Sequence, residues 1–258
     1  MKVRIPDFFA TSAMMGVRRR VEQLSKDDLE KQRWFVIASL TTLSAAPYRP
    51  RQSIDRPAES GVQADRDTLL AAARAIGDRL EALALRGDRG ISWVGLTARD
   101  ERYWSLTPLD VDLYSGLPGV ALFLAHLGAV SGADRYTSLA QTVVSTLLRR
   151  VNDLDLYLRS VGGFTGWDGV IYTLSHLSAL WNELALLVKA EAFVELPPRL
   201  IEEDKTFDIL DGSAGCISSL ISLYDCAPSK VTLAAARLCG EHLITFAQPM
   251  ASGVGWVN

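Results

Sequence analysis

The sequence predicts an all-α protein: an α/α toroid (barrel) of inner and outer helices, with an open solenoid as the alternative. Three observations lead there. A sixteen-residue motif occurs three times without gaps: DLYSGLPGVALFLAHL (112–127), GGFTGWDGVIYTLSHL (162–177) and DILDGSAGCISSLISL (208–223). Each copy runs from a Gly-x-x-Gly turn straight into an apolar helix. Each apolar helix is then followed by a second, amphipathic one. A period in the high forties with two helices per unit marks a helical repeat array.

The elements follow in order. Ser25 to Leu43 reads as a helix, opened by Ser25 and Asp28 in the manner of a capping box. Leu29, Trp34, Ile37 and Leu40 are expected to share one of its faces. The next stretch, AAPYRPRQSIDRPAESG, is rich in proline and arginine and poor in apolar residues, so 46–64 reads as a linker. Asp65 to Leu85 is helical again, with Leu69, Leu70, Ala73, Ile76, Leu80 and Leu83 as its apolar stripe. Ile91 to Leu106 carries Trp93, Tyr103 and Trp104 among β-formers and reads as a short hairpin or an irregular loop.

The repeats occupy the rest. The turn glycines are Gly116 and Gly119, Gly166 and Gly169, Gly212 and Gly215. Glycine at such a turn permits both positive φ and close backbone approach, which tight packing of neighbouring turns demands. The helices that follow, with stretches such as VALFLAHL and VIYTLSHL, carry few charges, so they are expected to be buried. The second helices, roughly Asp134 to Arg150, Leu184 to Glu203 and Ser229 to Phe246, are amphipathic. Buried inner helices alternating with solvated outer ones suggest concentric layers, with an open solenoid as the alternative. A phosphate loop is a poor reading, because no Gly-Lys-Ser/Thr follows any copy.

Composition narrows the function classes. The 258 residues are 48% apolar and 22% charged, enough for a sizeable core. A net charge of −3 gives no reason to expect nucleic acid as a partner. The three cysteines lack C-x-x-C spacing and read as free thiols in a reducing compartment. The N-terminus has no signal-peptide core, and no run approaches the roughly 20 apolar residues of a membrane span. A soluble cytoplasmic protein is the expectation.

Few residues carry chemistry. Cys239 and His242 form C-x-x-H, at most two metal ligands and more simply a packed helix face. Cys216 follows a turn glycine at a helix start, where a thiol pKa can fall, though a small core residue is the better reading. Cys226 has no evident partner. His126 and His176 share a repeat position, filled by Ser222 in the third copy, and read as structural. Trp167 and Tyr172 either line a central cavity or fill the core. Asp112 and Asp208 stand at the same offset before their turns, where a carboxylate commonly caps free N–H groups; the second copy has Gly162 there.

Together, DLYSGLPGVALFLAHLG, GGFTGWDGVIYTLSHLSALW and DILDGSAGC resemble lanthionine synthetase C-like cyclase domains. More narrowly, they are similar to the cyclase half of class II, bifunctional lanthipeptide synthetases. LSKDDLEKQRWFVIASL (24–40), CGEHLITFA (239–247) and the closing GVGWVN follow the same course. The resemblance implies three regions: 1–45 as the end of a dehydratase region with its connecting helix, 46–64 as linker, and 65–258 as a partial cyclase domain. It implies a precursor peptide as partner. The reaction is addition of a cysteine thiol to dehydroalanine or dehydrobutyrine, giving a thioether ring. It implies zinc in the full-length family, held by two cysteines and a histidine with one position open for the substrate thiol. Those ligand motifs are absent from this chain, so the expectation is a front fragment, inactive in cyclisation by itself. One catalytic residue of the family maps here, Asp208, with an acid/base role. The alternatives are a non-catalytic helical-repeat module that binds a peptide, and another α/α toroid with paired carboxylates drawn from Asp168, Asp208 and Asp211.

Overall fold

A computed structural model describes residues 12–44, 65–98, 104–153, 160–195 and 197–257. The linker expected over 46–64 lies outside the described residues. By compactness the chain divides into Met1–Ile54 with Leu96–Leu106, and Asp55–Gly95 with Thr107–Asn258.

In the first unit, α1 (Ala13–Glu22) begins at Ser12, whose hydroxyl accepts from the Met15 N–H. In α2 (Lys26–Ser44) the capping box forms as the sequence suggests. The Ser25 N–H donates to Asp28 Oδ2 at 3.0 Å, and the Asp28 N–H donates to Ser25 Oγ at 3.2 Å. The stripe expected on this helix is not buried: Leu29, Ile37 and Leu40 all stay more than half exposed.

The second unit opens with α3 (Arg66–Leu83), capped by Asp65 on the Thr68 N–H at 2.7 Å. Two short ribbons follow where the sequence suggested one hairpin. In the first, β1 (Leu85–Gly87) pairs antiparallel with β2 (Gly90–Ser92). In the second, most of which belongs to the first unit, β3 (Val94–Ala98) pairs with β4 (Trp104–Pro108). The first ribbon begins at a residue assigned to the preceding helix. Its turn is the dipeptide Asp88–Arg89, closed by Gly90 at φ 114°.

The repeats then run α4 (Leu117–Ser131), α5 (Asp134–Asp153), α6 (Trp167–Trp181), α7 (Leu184–Phe193), α8 (Pro197–Glu203), α9 (Ser213–Cys226) and α10 (Lys230–Phe246). A last ribbon joins β5 (Gln248–Pro249) to β6 (Val254–Gly255). The second outer helix is split, not continuous. Pro197 and Pro198 lack the N–H groups an uninterrupted helix would need, so the chain breaks and restarts as α8.

The packing has two layers. The neighbours α4, α6 and α9 form the inner row, with α6 between the other two. Their partners α5, α7 and α10 pack on them from outside. The apolar character of the inner helices is why they are enclosed: Leu117, Leu124, Ile171, Leu174, Leu177, Leu220 and Leu223 are all fully buried. On α5 one face is buried through Tyr136, Val143 and Leu147 while the other meets solvent. That helix also holds α3, since the Tyr136 hydroxyl donates to Asp78 and Arg135 bridges Asp78 and Glu81.

The turns before the inner helices are linked to one another. The Leu113 and Tyr114 N–H groups both donate to the Phe164 carbonyl, at 2.8 and 3.0 Å. The Phe164 and Thr165 N–H groups both donate to the Leu210 carbonyl, at 3.1 Å each. Tyr114, Phe164 and Leu210 are equivalent in the repeat, so one carbonyl position accepts twice at both junctions.

This ladder corrects the reason for the glycines. Gly116, Gly166 and Gly212 have φ of −112°, −109° and −115°, so none uses the left-handed region. Close approach alone requires them. A Cβ on Gly116 would come within 2.2 Å of the Asp112 carbonyl oxygen, and one on Gly215 within 2.0 Å of the Ile209 carbonyl oxygen. The missing aspartate of the second copy has the same cause. A Cβ at Gly162 would lie 2.3 Å from the Asp211 Cα, because the third turn stacks directly on the second.

Candidate functional site

Stacking the turns builds a cavity of about 420 Å³ at their ends. Tyr114, Phe164 and Ile209 line it from successive turns, and Leu122, Tyr172 and Ser218 from the helices behind. Large apolar side chains are exposed here in all three repeats, with Tyr114 68% and Ile209 59% accessible. A concave apolar site with a few polar groups at its edge is the usual form of a ligand pocket.

Asp208 adjoins this cavity through its neighbour Ile209. It is exposed, and its Oδ1 accepts from the Asp211 N–H at 2.8 Å. Its counterpart Asp112 makes the same bond, accepting from the Ser115 N–H at 2.7 Å. Both carboxylates therefore hold their turns, as the repeat suggests. Their settings differ. Asp112 is buried, and that burial pushes its carboxyl above the usual range despite the Ser115 hydrogen bond. Asp208 is exposed, and among the described residues its second oxygen receives no hydrogen bond.

The third turn depends on a residue the sequence reading missed. In the first two copies the leading inner-helix N–H donates to a backbone carbonyl, Leu117 to Asp110 and Trp167 to Ser160. In the third, Ser213 donates instead to the Asp204 carboxylate, at 2.8 Å from its N–H and 2.5 Å from its hydroxyl. The other Asp204 oxygen accepts from the Thr206 and Phe207 N–H groups. Partial burial pushes this carboxyl up, but these bonds outweigh it and hold it below the ordinary carboxylate range. The signal was legible: an acidic residue nine positions before a serine that starts a helix, where the other copies have none.

Behind the turns lies a closed cluster. Asp168 is fully buried in the first turn of α6, and neither carboxylate oxygen receives a hydrogen bond. Burial raises its pKa to about 8, against the opposing effect of the nearby Cys216 thiol. Cys216 and Cys239 touch, sulfur to sulfur, at 3.1 Å. Contact with Cys239, burial and the Asp168 charge push the Cys216 thiol well above its ordinary value. The depressed pKa considered for a helix N-terminus therefore does not arise, and Cys216 is a core residue.

The other candidates separate. Cys239 faces Cys216, whereas His242 reaches the Asp204 carbonyl at 2.9 Å and packs on Phe207 and Phe246. C-x-x-H is thus a packed helix face. His176 shares the Tyr172 carbonyl one turn back and stacks on the Tyr172 ring, a structural role. His126 is exposed, and so is Cys226. Trp167 fills the core against Phe193, while Tyr172 lines the cavity. Asp211 is engaged by the Thr165 hydroxyl, Asp168 is buried and Asp208 exposed, so the three do not form a carboxylate pair.

A zinc site of the family kind needs three convergent protein ligands. Among the described residues no group of three His, Cys, Asp or Glu side chains is arranged to hold a metal ion. The described residues do not fit zinc. Among them, too, no helix is long and apolar enough to cross a membrane.

No curated protein matches the chain. The family model described as lanthionine synthetase C-like protein matches residues 107–258, which takes in all three turns, the cavity and every inner and outer helix. With the repeat, the layered helix pairs and the stacked turns all falling inside that match, the chain belongs to the lanthionine synthetase C-like family.

Proposed function

We propose that this chain supplies part of the ring-closing domain of a class II lanthionine synthetase, an α/α toroid acting on a ribosomal precursor peptide. In that reaction a cysteine thiol of the peptide adds to a dehydroalanine or dehydrobutyrine. The sulfur–carbon bond forms at the β-carbon, the C=C electron pair moves toward the carbonyl, and a proton must reach the α-carbon. Another proton leaves the thiol. Both transfers call for a positioned acid–base group.

Asp208 is the residue of this chain suited to that work. The observation that carries the reading is its exposed carboxylate, with one oxygen anchored by the Asp211 N–H and Ile209 of the turn-end cavity wall as its neighbour in sequence. Anchoring fixes the group, and the free oxygen takes or gives the proton. The apolar walls from Tyr114, Phe164 and Tyr172 fit the side chains of a peptide held across the turns. No step is assigned to zinc, because the described residues do not hold it.

Asp208→Asn in the full-length synthetase tests this. Ring closure, followed by mass spectrometry after alkylating the remaining peptide thiols, is expected to slow by about 10²–10⁴-fold, the range of a lost general acid–base group. Dehydration of the same peptide is expected to be unchanged. Equal cyclisation rates would remove Asp208 from the chemistry. If the Asn variant still bound the peptide, the non-catalytic binding module would then be the better account.

A further inference from the structure

A second concave site lies away from the turns, and it is basic. The β1–β2 ribbon and the C-terminal half of α5 enclose a cavity of about 920 Å³. Four arginines line it: Arg86 and Arg89 from the ribbon, Arg149 and Arg150 from the helix. Among the described residues Asp88 is the one carboxylate in its wall.

The arrangement is built, not incidental. Ile91 is buried, and its N–H donates to Thr146 Oγ1 at 3.1 Å, which clamps the ribbon to α5. Gly90 makes the approach possible, since a Cβ there would lie 2.2 Å from Thr146 Oγ1 and 2.6 Å from Arg149 Nη2. Its φ of 114° also turns the chain so that Arg89 sits at the ribbon tip. The clamp therefore gathers like charges on one concavity.

Among the described residues no ion pair involves any of the four arginines. Arg149 donates to the Ser145 carbonyl within its own helix, and Arg150 donates to the Leu109 carbonyl at 2.8 Å. Gathered guanidinium groups repel unless an anion joins them, and their forked donors match carboxylate and phosphate oxygens. A net charge of −3 for the whole chain makes this local excess a selective feature, not a general basic character.

We propose that this arginine-lined cavity binds a carboxylate-bearing segment of a peptide, Arg86, Arg89 and Arg149 taking its acidic side chains. The gathered arginines call for an anionic ligand. The choice of a peptide rests on the reading of the chain as a peptide-modifying protein. The site lies outside the turn-end cavity, so it would hold a part of the peptide other than the reacting cysteine.

The test is fluorescence anisotropy on the intact chain with a fluorescein-labelled peptide of alternating glutamate and alanine. The matching glutamine peptide and inorganic tripolyphosphate are the comparisons. The glutamate peptide is expected to bind at least about tenfold more tightly than the glutamine one, the weight of one charge-assisted contact. Arg89→Glu and Arg149→Glu, both exposed side chains, are each expected to weaken it by a similar factor with melting temperature unchanged. Asp208→Asn is expected to leave binding untouched, which separates this site from the proposed chemistry. Equal binding of the two peptides, or no effect of the arginine variants, overturns the proposal. Tripolyphosphate displacing the peptide at concentrations below the peptide's own Kd overturns the peptide assignment in favour of a phosphate site.

Discussion

At the scale of single residues, Asp168 is a fully buried carboxyl whose oxygens receive no hydrogen bond. Its folded pKa of about 8 compares with an ordinary 3.8. Between those values the folded state holds a proton that the unfolded chain has released. Stability from this group therefore falls as pH rises through that window and levels off above it. The third copy carries Ala214 at the same repeat position, so an alanine is compatible with an inner-helix start. Asp168→Ala is expected to gain on the parent steadily as pH rises from about 5 to about 8. Thermal melts of both proteins across that range check it. A melting difference that does not change with pH would mean that the carboxyl ionises freely in the folded state. Nothing in the sequence marked this residue as buried and unpaired. Its surroundings come from α9, whose Cys216 lies 48 positions further along the chain.

At the scale of elements, the turns decide more than the helices. Gly162→Ala puts a Cβ 2.3 Å from the Asp211 Cα, and backbone on both sides leaves little room to yield. The expected loss is about 1–3 kcal/mol, the range of an overpacked site. Gly240→Ala is the control, because a Cβ there meets nothing within 4 Å and α10 gains a better helix former. It is expected to be neutral or to add up to about 1 kcal/mol. Urea unfolding of the two variants decides: similar midpoints would mean that the second and third turns are not stacked. The inner and outer helices were legible because amphipathic spacing and repetition are local properties of the chain. The turn ladder was not, since its bonds join residues of different copies. The β1–β2 ribbon was missed for a different reason. Helical periodicity through Leu83 carried the reading past Ala84, although Gly-Asp-Arg-Gly is itself a two-residue hairpin signal.

At the scale of the whole molecule, the two units differ in how well they are covered. Every described residue of α1 is exposed, and so are Leu29, Val36, Ile37 and Leu40 of α2. In contrast, α4, α6 and α9 share one buried cluster that runs through all three repeats. The ladder adds backbone bonds between the same repeats, so opening one turn strips N–H partners from the next. Repeat arrays unfold in steps when coupling between neighbours is weak and together when it is strong. Here the inner helices are expected to exchange amide hydrogens as a single slow class, with the Phe164 and Thr165 N–H groups in it. The amides of α1 and α2 are expected to exchange far earlier, because few buried contacts resist their local opening. Hydrogen exchange followed by mass spectrometry on the intact chain measures both. Separate rates for α4, α6 and α9 would mean that the turns touch without coupling the repeats. The Asp208 carboxylate would then be held only by its own turn, and positioning it would not depend on the rest of the array.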